Sequence, residues 1–285
     1  MITSFLIMFR ESLEASLIIG ILLGYLLKTK QTKYNNLIYI SIAAGIVASI
    51  AFAYFFYYIA GGFTGNIERI FEGITMIVAA LLLTFMILWI MRQKHVAIGF
   101  HKKMQNKINT GKIFGLFMLG FIAVLREGVE TVIFLIAASY AEGPTNIIGV
   151  FLGVFAAIVL GYFVFIGSMK ISLKKFFNIT SFVLVFFAAG LVTHGIHEIQ
   201  ETGALPFFIN EAWDINPAIS TTGAIPLLHE EGIIGSILKG LFGYNANPTV
   251  LEVIVYVAYL GIIFLVYRRI EKISKKSSVA NKTRV

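Results

Sequence analysis

Two short runs place ionisable side chains inside sequence that is otherwise almost wholly apolar: Arg10-Glu11-Ser12-Leu13-Glu14 and Arg126-Glu127-Gly128-Val129-Glu130. On a helix, Glu11 and Glu14 are three residues apart and share a face, as do Glu127 and Glu130. Arg10 and Arg126 each stand four residues before the second Glu of their own run, the spacing of a helical ion pair. Each run therefore offers two carboxylates and one guanidinium, a net charge of −1. Two runs brought together offer four carboxylates and a net −2. Oxygen-rich, negative cages of this kind suit hard cations. The plainer reading is a pair of structural ion pairs, but a pair needs one Glu per Arg, and each run has a second. The candidate metal ligands are Glu11, Glu14, Glu127 and Glu130, with Arg10 and Arg126 as supporting partners.

A second group lies in His194-Gly195-Ile196-His197-Glu198-Ile199-Gln200-Glu201. His194, His197, Glu198 and Glu201 fall within two helical turns, and imidazole with carboxylate binds transition metals. The run lacks the second His of the zinc-protease pattern HExxH, which sets a protease aside. Glu68 and Glu72 flank Arg69 at the start of another apolar stretch, as a capping and pairing group or a further acidic station. These six residues, His194, His197, Glu198, Glu201, Glu68 and Glu72, make a candidate outer mouth. His229-Glu230-Glu231 is a weaker contact point, and His95 and His101 read as surface residues of a basic loop. There is no cysteine, so thiolate metal sites, disulfides and thiol nucleophiles are excluded.

The elements that must hold these residues are membrane helices. The chain of 285 residues is 58% hydrophobic and 13% charged, far from the composition of soluble domains. Seven segments are long and apolar enough to span a bilayer: about 5–27, 37–60, 67–91, 113–141, 147–169, 177–200 and 250–267. Along the helix rise, Glu14 lies ~20 Å from Lys28 and Glu130 lies ~16 Å from Ala141. Both runs thus fall near the middle of the hydrocarbon, where ionisable groups are costly and mark a pathway or site.

All but four of the 23 Lys and Arg residues follow segments 1, 3, 5 and 7. The positive-inside rule then puts the N-terminus outside and the C-terminus in the cytoplasm. The net charge of +8 belongs to that face and not to a nucleic-acid surface. The outer face is acidic, which concentrates cations at a mouth.

The segments repeat. The runs at 10–14 and 126–130 match. Gly45, Ala48, Ile50, Tyr54 and Phe55 match Gly153, Ala156, Ile158, Tyr162 and Phe163, and 79–84 match 188–193. The three offsets are 116, 108 and 109 residues. A three-helix unit repeated in sequence enters the membrane from the opposite side the second time. The expected fold is therefore all-α and polytopic, with seven transmembrane helices and an inverted repeat of helices 1–3 and 4–6, an arrangement transporters use. The chain divides into one transmembrane domain: repeat one about 1–91, repeat two about 113–202, an external loop about 203–249, helix seven about 250–268 and a basic tail 269–285. Within the loop, 233–242 reads as a short helix at the interface.

With these motifs in place, the chain resembles the oxidase-dependent iron transporter family, the high-affinity iron permeases of fungi and their bacterial relatives. The signature is Arg-Glu-x-x-Glu in helices 1 and 4. Phe71-Glu72-Gly73, the run from His197 to Glu201 and Gly243-Tyr244-Asn245 add to the likeness, which covers essentially the whole chain. Ser12 stands where many relatives have Gly. The resemblance implies an iron importer at the cell membrane that is not an enzyme and carries no cofactor beyond iron, Fe2+ or Fe3+, as the transported ion. It also implies an extracytoplasmic oxidase, peroxidase or iron-binding partner, expected as a separate chain. The residues leave two other readings open: a broader divalent-metal or proton-coupled cation carrier, and an intramembrane di-iron enzyme. The latter normally uses Glu-x-x-His ligand pairs, which both motifs lack. No phosphate-binding loop is present, so this chain does not hydrolyse ATP.

Because the chain is free of cysteine, the topology is checked by labelling single cysteines placed at Lys102 and Glu230 in intact cells. Position 230 should react with an impermeant reagent from outside and position 102 only after permeabilisation. The reverse pattern would overturn the orientation.

Overall fold

The computed structural model describes residues 1–92, 113–165, 173–204, 212–214, 229 and 232–282. Among these, the chain forms eight α-helices: α1 Ile2–Lys28, α2 Asn35–Ala60, α3 Asn66–Arg92, α4 Ile113–Glu142, α5 Ile147–Phe165, α6 Leu173–Glu201, α7 Ile233–Phe242 and α8 Val250–Lys282. A single 3-10 turn, Thr32–Tyr34, joins α1 to α2. His95, His101, Lys102, Glu211, Glu230 and Glu231 lie outside the described residues.

Long apolar segments with no charge to solvate have one way to satisfy every backbone N–H and C=O in lipid, and that is to be helical. The breaks fall where the sequence supplies breakers. α4 stops at Glu142 before Gly143, whose φ of 93° is the left-handed conformation glycine tolerates, and Pro144 follows. α5 starts with Asn146, whose Oδ1 accepts a bond from the Gly149 amide at 2.9 Å, an N-cap.

Four stretches, Thr32–Ala60, Asn66–Trp89, Ile179–Glu201 and Val250–Ile270, are long and apolar enough to cross a membrane by length and composition. α1 and α4 are as long, but each carries an Arg and two Glu in its middle, which lowers its hydropathy. Large apolar side chains line the outside of the bundle: Val47, Tyr54 and Phe55 on α2, Phe151 and Phe155 on α5, Ile254 and Val257 on α8. A soluble protein cannot present so continuous an apolar surface. The protein is an all-α polytopic membrane protein.

The helices pair α1 with α5, α2 with α4 and α3 with α6, with α4 also against α1 and α3. In lipid, small residues drive this association because they let backbones approach. A Cβ on Gly73 would lie 2.6 Å from the Gly195 carbonyl oxygen, and one on Gly195 would lie 2.7 Å from that of Gly73. Below this α3–α6 crossing sits the core: Met76, Ala79, Ala80 and Leu83 from α3, Phe134, Ala137 and Ala138 from α4, Leu184, Phe187, Ala188 and Leu191 from α6, and Ile7 from α1.

The helix that starts at Val250 carries an apolar span to Ile270 and continues through the basic stretch to Lys282, since no Gly or Pro interrupts it and Lys and Arg are good helix formers near a C-terminus. The segment 233–242 is helical, with Ile234, Ile237 and Phe242 exposed, and the turn after it is drawn into the bundle. Gly243, at φ 64°, packs on Gly190, so closely that a Cβ on Gly190 would lie 2.5 Å from the Gly243 Cα. Gly190 is ~16 Å along α6 from its end at Glu201. The carbonyls freed at the end of α7 are satisfied there: Tyr256 Oη donates to Phe242 O at 2.7 Å and Thr3 Oγ1 to Gly240 O at 3.2 Å. α7 thereby packs on α6, α1 and α4.

The small-residue packing is checked with a matched pair of alanines. A Cβ at Gly153 would meet Phe5 O at 2.7 Å, Met8 Cβ at 2.8 Å and Phe9 N at 2.9 Å, whereas one at Gly24 meets nothing within 4 Å. Gly153→Ala should lower the thermal stability of the detergent-solubilised protein by about 1–3 kcal/mol. Gly24→Ala should leave it unchanged or raise it slightly, by up to about 1 kcal/mol.

Candidate metal site at the meeting of α1 and α4

The two charged runs meet where α1 crosses α4. Arg10 has no exposed surface, and its guanidinium is shared by two carboxylates of its own helix: Nη1 to Glu11 Oε1 at 2.8 Å and Nη2 to Glu14 Oε1 at 3.0 Å. Arg126 is 43% exposed and pairs through Nε with Glu130 Oε1 at 2.8 Å. The i, i+4 pairing is thus present in both helices, and Arg10 engages Glu11 in addition. Arg126 also lies over the ring of Trp89 on α3, its guanidinium carbon 5.4 Å from the centroid.

Glu11, Glu127 and Glu130 each bring a carboxylate oxygen within 4.8 Å of the others. Glu11 and Glu127 are buried and Glu130 is half-buried. Glu14 is not a member of this triad; it is held by Arg10 at its edge. Oε2 of Glu11, of Glu127 and of Glu130 is buried with no hydrogen-bond partner. Buried acceptors in a membrane protein are normally paired. A cluster of three carboxylates from two helices, each with one buried oxygen unpaired, suits a cation with oxygen ligands.

Gly128, inside the second run, seats α4 closely on α2. A Cβ there would come 2.0 Å from Ser49 Oγ and 2.6 Å from Ser49 Cβ on α2, so the second motif needs glycine at this place.

The outer candidates fall into two groups. Arg69 on α3 pairs with Glu201 on α6. Glu72 on α3 lies in the repulsive field of Glu198 on α6 and of Glu68. Tyr140 of α4 lies in the field of Glu72 and Glu68, and it stands ~15 Å along α4 from Glu130. The outer carboxylates are therefore well separated from the triad. Between them lie buried Phe134, Ala137 and Ala138 with Met76, Ala79 and Ala80. His197 joins a different partner: its Nδ1 bonds Glu252 Oε1 at 2.8 Å, and its Nε2 lies 3.2 Å from Glu201 Oε1. His194 is half-buried one turn further in. His229 lies in the loop ahead of α7.

Glu252 is the residue that the sequence motifs do not single out. It is 2% exposed and also accepts from Asn245 Nδ2 at 2.9 Å, from the Thr249 amide at 3.1 Å and from Thr249 Oγ1 at 3.1 Å. The Glu252 amide returns a bond to Thr249 Oγ1 at 3.3 Å. Thr249-Val-Leu-Glu252 is a capping box, readable as Thr-x-x-Glu before an apolar run. Its link to His197 was not readable, because α6 and α8 are about 50 residues apart in sequence. Trp89 was missed for a similar reason: an aromatic near a helix end reads as an interface anchor.

Comparison with known proteins gives the family. The family described as iron permease FTR1 matches residues 1–270. The ferrous iron permease EfeU of Yersinia pestis is 36% identical over 264 residues, 91% of this chain and 90% of the relative. The protein of the same name from Escherichia coli O157:H7 is 32% identical over 264 residues, 91% of this chain and 92% of the relative. No solved structure matches the chain at comparable significance. Its charged runs meet inside the bundle, and the likeness to these relatives spans nine-tenths of its length: the chain belongs to the iron permease FTR1 family.

Proposed function

We propose that this protein imports iron across the cell membrane, with Glu11, Glu14, Glu127 and Glu130 as the carboxylates the ion meets at the bundle centre and Arg10 and Arg126 as the charges that hold them. The observation that carries the reading is the gathering of Glu11, Glu127 and Glu130 from α1 and α4, each with a carboxylate oxygen within 4.8 Å of the others and each with a buried oxygen that has no hydrogen-bond partner. The group contains carboxylates and no imidazole, a hard-ligand set suited to iron held weakly enough to move on. Its relatives are named ferrous iron permeases, which favours Fe2+ as the transported ion; a separate extracytoplasmic iron-binding partner would hand it over unchanged, whereas an oxidase or peroxidase partner would deliver Fe3+.

The finer architecture belongs to the same proposal: seven spanning helices, α1–α6 and α8, the N-terminus outside, and α1–α3 related to α4–α6 by a half-turn about an axis in the membrane plane. The domain limits are those of the repeat, 1–91 and 113–202. The packing supports it. Exchange of the two halves carries the α1–α5 pair onto α4–α2 and leaves α3–α6 and α1–α4 in place, and all four pairs are in contact. The contacts match residue for residue. Gly45 lies against Val124 and Leu125, and Gly153 lies against Met8 and Phe9, each pair related by the offsets read from the sequence. In this frame the acidic mouth of Glu68, Glu72, Glu198, Glu201, His194 and His197 gathers cations at the outer face. The apolar layer around Phe134 closes the way down, and half-exposed Arg126 marks the side on which the triad is reached. That asymmetry is what alternating access requires of one of its states.

Uptake of labelled iron into proteoliposomes tests the function, with ferrous and ferric ions compared and other divalent metals as competitors; a chain that admits no iron under either condition would overturn it. Site variants test the ligands. Glu11→Gln, Glu127→Gln and Glu130→Gln should each lose most uptake yet reach the membrane folded, since removal of a buried charge also relieves its desolvation. Arg10→Gln should lose both uptake and stability, by about 3–5 kcal/mol, because two buried carboxylates lose their partner. His197→Ala should retain substantial uptake. If His197→Ala abolished uptake while Glu127→Gln and Glu130→Gln transported normally, the ion site would lie at the end of α6.

A further inference from the structure

The two motifs have the same spacing but do not use their arginines alike. Arg10 spreads over both carboxylates of its run, Glu11 at 2.8 Å and Glu14 at 3.0 Å. Nothing in the local sequence denies Arg126 the same arrangement over Glu127 and Glu130. Its ion pair, however, is with Glu130, and its guanidinium lies over Trp89. Glu127 is left buried, with an oxygen that no donor satisfies. The ring is on α3, which packs directly on α4. Under the proposed repeat, the place in α6 that corresponds to Trp89 is Glu198, by the 109-residue offset, so the first motif has no aromatic counterpart.

We infer that Trp89 is a positioning residue of the ion site: its ring face holds the Arg126 guanidinium away from Glu127, so that Glu127 stays open to a metal cation. The inference rests on the transport reading above and names one way the site is kept receptive. A guanidinium beside a carboxylate pair is drawn to bidentate hydrogen bonding. Taken up that way, Arg126 would cover the oxygens the ion needs, and iron would have to displace it. A ring face offers the cation a competing station, and that attraction grows where water is excluded. Arg126 then lends its positive charge to the cluster without occupying its ligands. Removal of the ring should convert a neighbouring charge into a competitor.

The experiment is anaerobic titration of ferrous iron into the purified full-length protein in detergent, comparing wild type, Trp89→Phe and Trp89→Leu, with uptake into proteoliposomes measured alongside. In Trp89→Leu the half-saturating iron concentration should rise about tenfold for binding and uptake, with the maximal rate little changed. Trp89→Phe, which keeps a ring face, should stay within about threefold of wild type. Should the leucine variant fail to fold, Trp89→Met makes the same comparison. Equal weakening in the phenylalanine and leucine variants, or a leucine variant with unshifted half-saturation, would overturn the inference. A lowered melting temperature or maximal rate with no shift in half-saturation would do the same, because it marks a ring that only fills space or anchors the helix. These outcomes are distinct from failure of the transport reading, in which the wild type itself would neither bind nor admit iron.

Discussion

Arg10 is a cation with no exposed surface in the middle of an apolar bundle, and the two carboxylates that share it sit one and four residues along the same helix. A lone charge at that depth would cost several kcal/mol, and removing Arg10 would leave both carboxylates without their partner. The pairing lets α1 enter the membrane as a helix with three charges in its middle. Having done so, the helix must bury that face against something equally polar. Among the described residues α4 carries the matching Arg-Glu-x-x-Glu face in its middle, and α1 crosses it there. The remaining helices pack around this contact: α5 and α2 cover the outer flanks of α1 and α4, and α3 and α6 close the bundle with the core of Ala, Met and Phe.

Such a crossing also decides what the packing residues must be. Without a hydrophobic drive between helices in lipid, close approach comes from glycine, alanine and serine. Gly128 against the Ser49 side chain, Gly73 against the Gly195 backbone and Gly153 against Phe5 and Met8 all sit where an added Cβ would clash. These contacts fix α4 on α2, α3 on α6 and α5 on α1 around the α1–α4 crossing. A shift of one helix by a fraction of a turn would separate Glu11 from Glu127.

The two charged helices are packed differently. α3 touches α4, while α6 and α1 make no comparable contact; α7 stands between them, held by Gly190, Phe186 and Thr3. Its far side is tied down through Asn245 and Thr249 to Glu252, and through Glu252 to His197 of α6. α7 and its ties thus enclose the α1–α6 side, and the two arginines differ in exposure, none for Arg10 and 43% for Arg126.

By itself the sequence determined the class, the helices and the ligand types. Apolar length in lipid leaves helix as the only solution, and i, i+3 and i, i+4 spacing puts Glu11, Glu14 and Arg10 on one face whatever else happens. The Thr249-to-Glu252 capping box was equally local, though its meaning depends on a partner far along the chain. Only the tertiary structure decided which of the four motif glutamates converge, that Arg10 takes both of its neighbours while Arg126 leans on Trp89, that His197 is tied to Glu252, and that Gly243 is pulled onto Gly190. Each of these depends on the rotation and depth of one helix against another. Those are set by where small residues permit backbones to meet, and no spacing within a single helix encodes them.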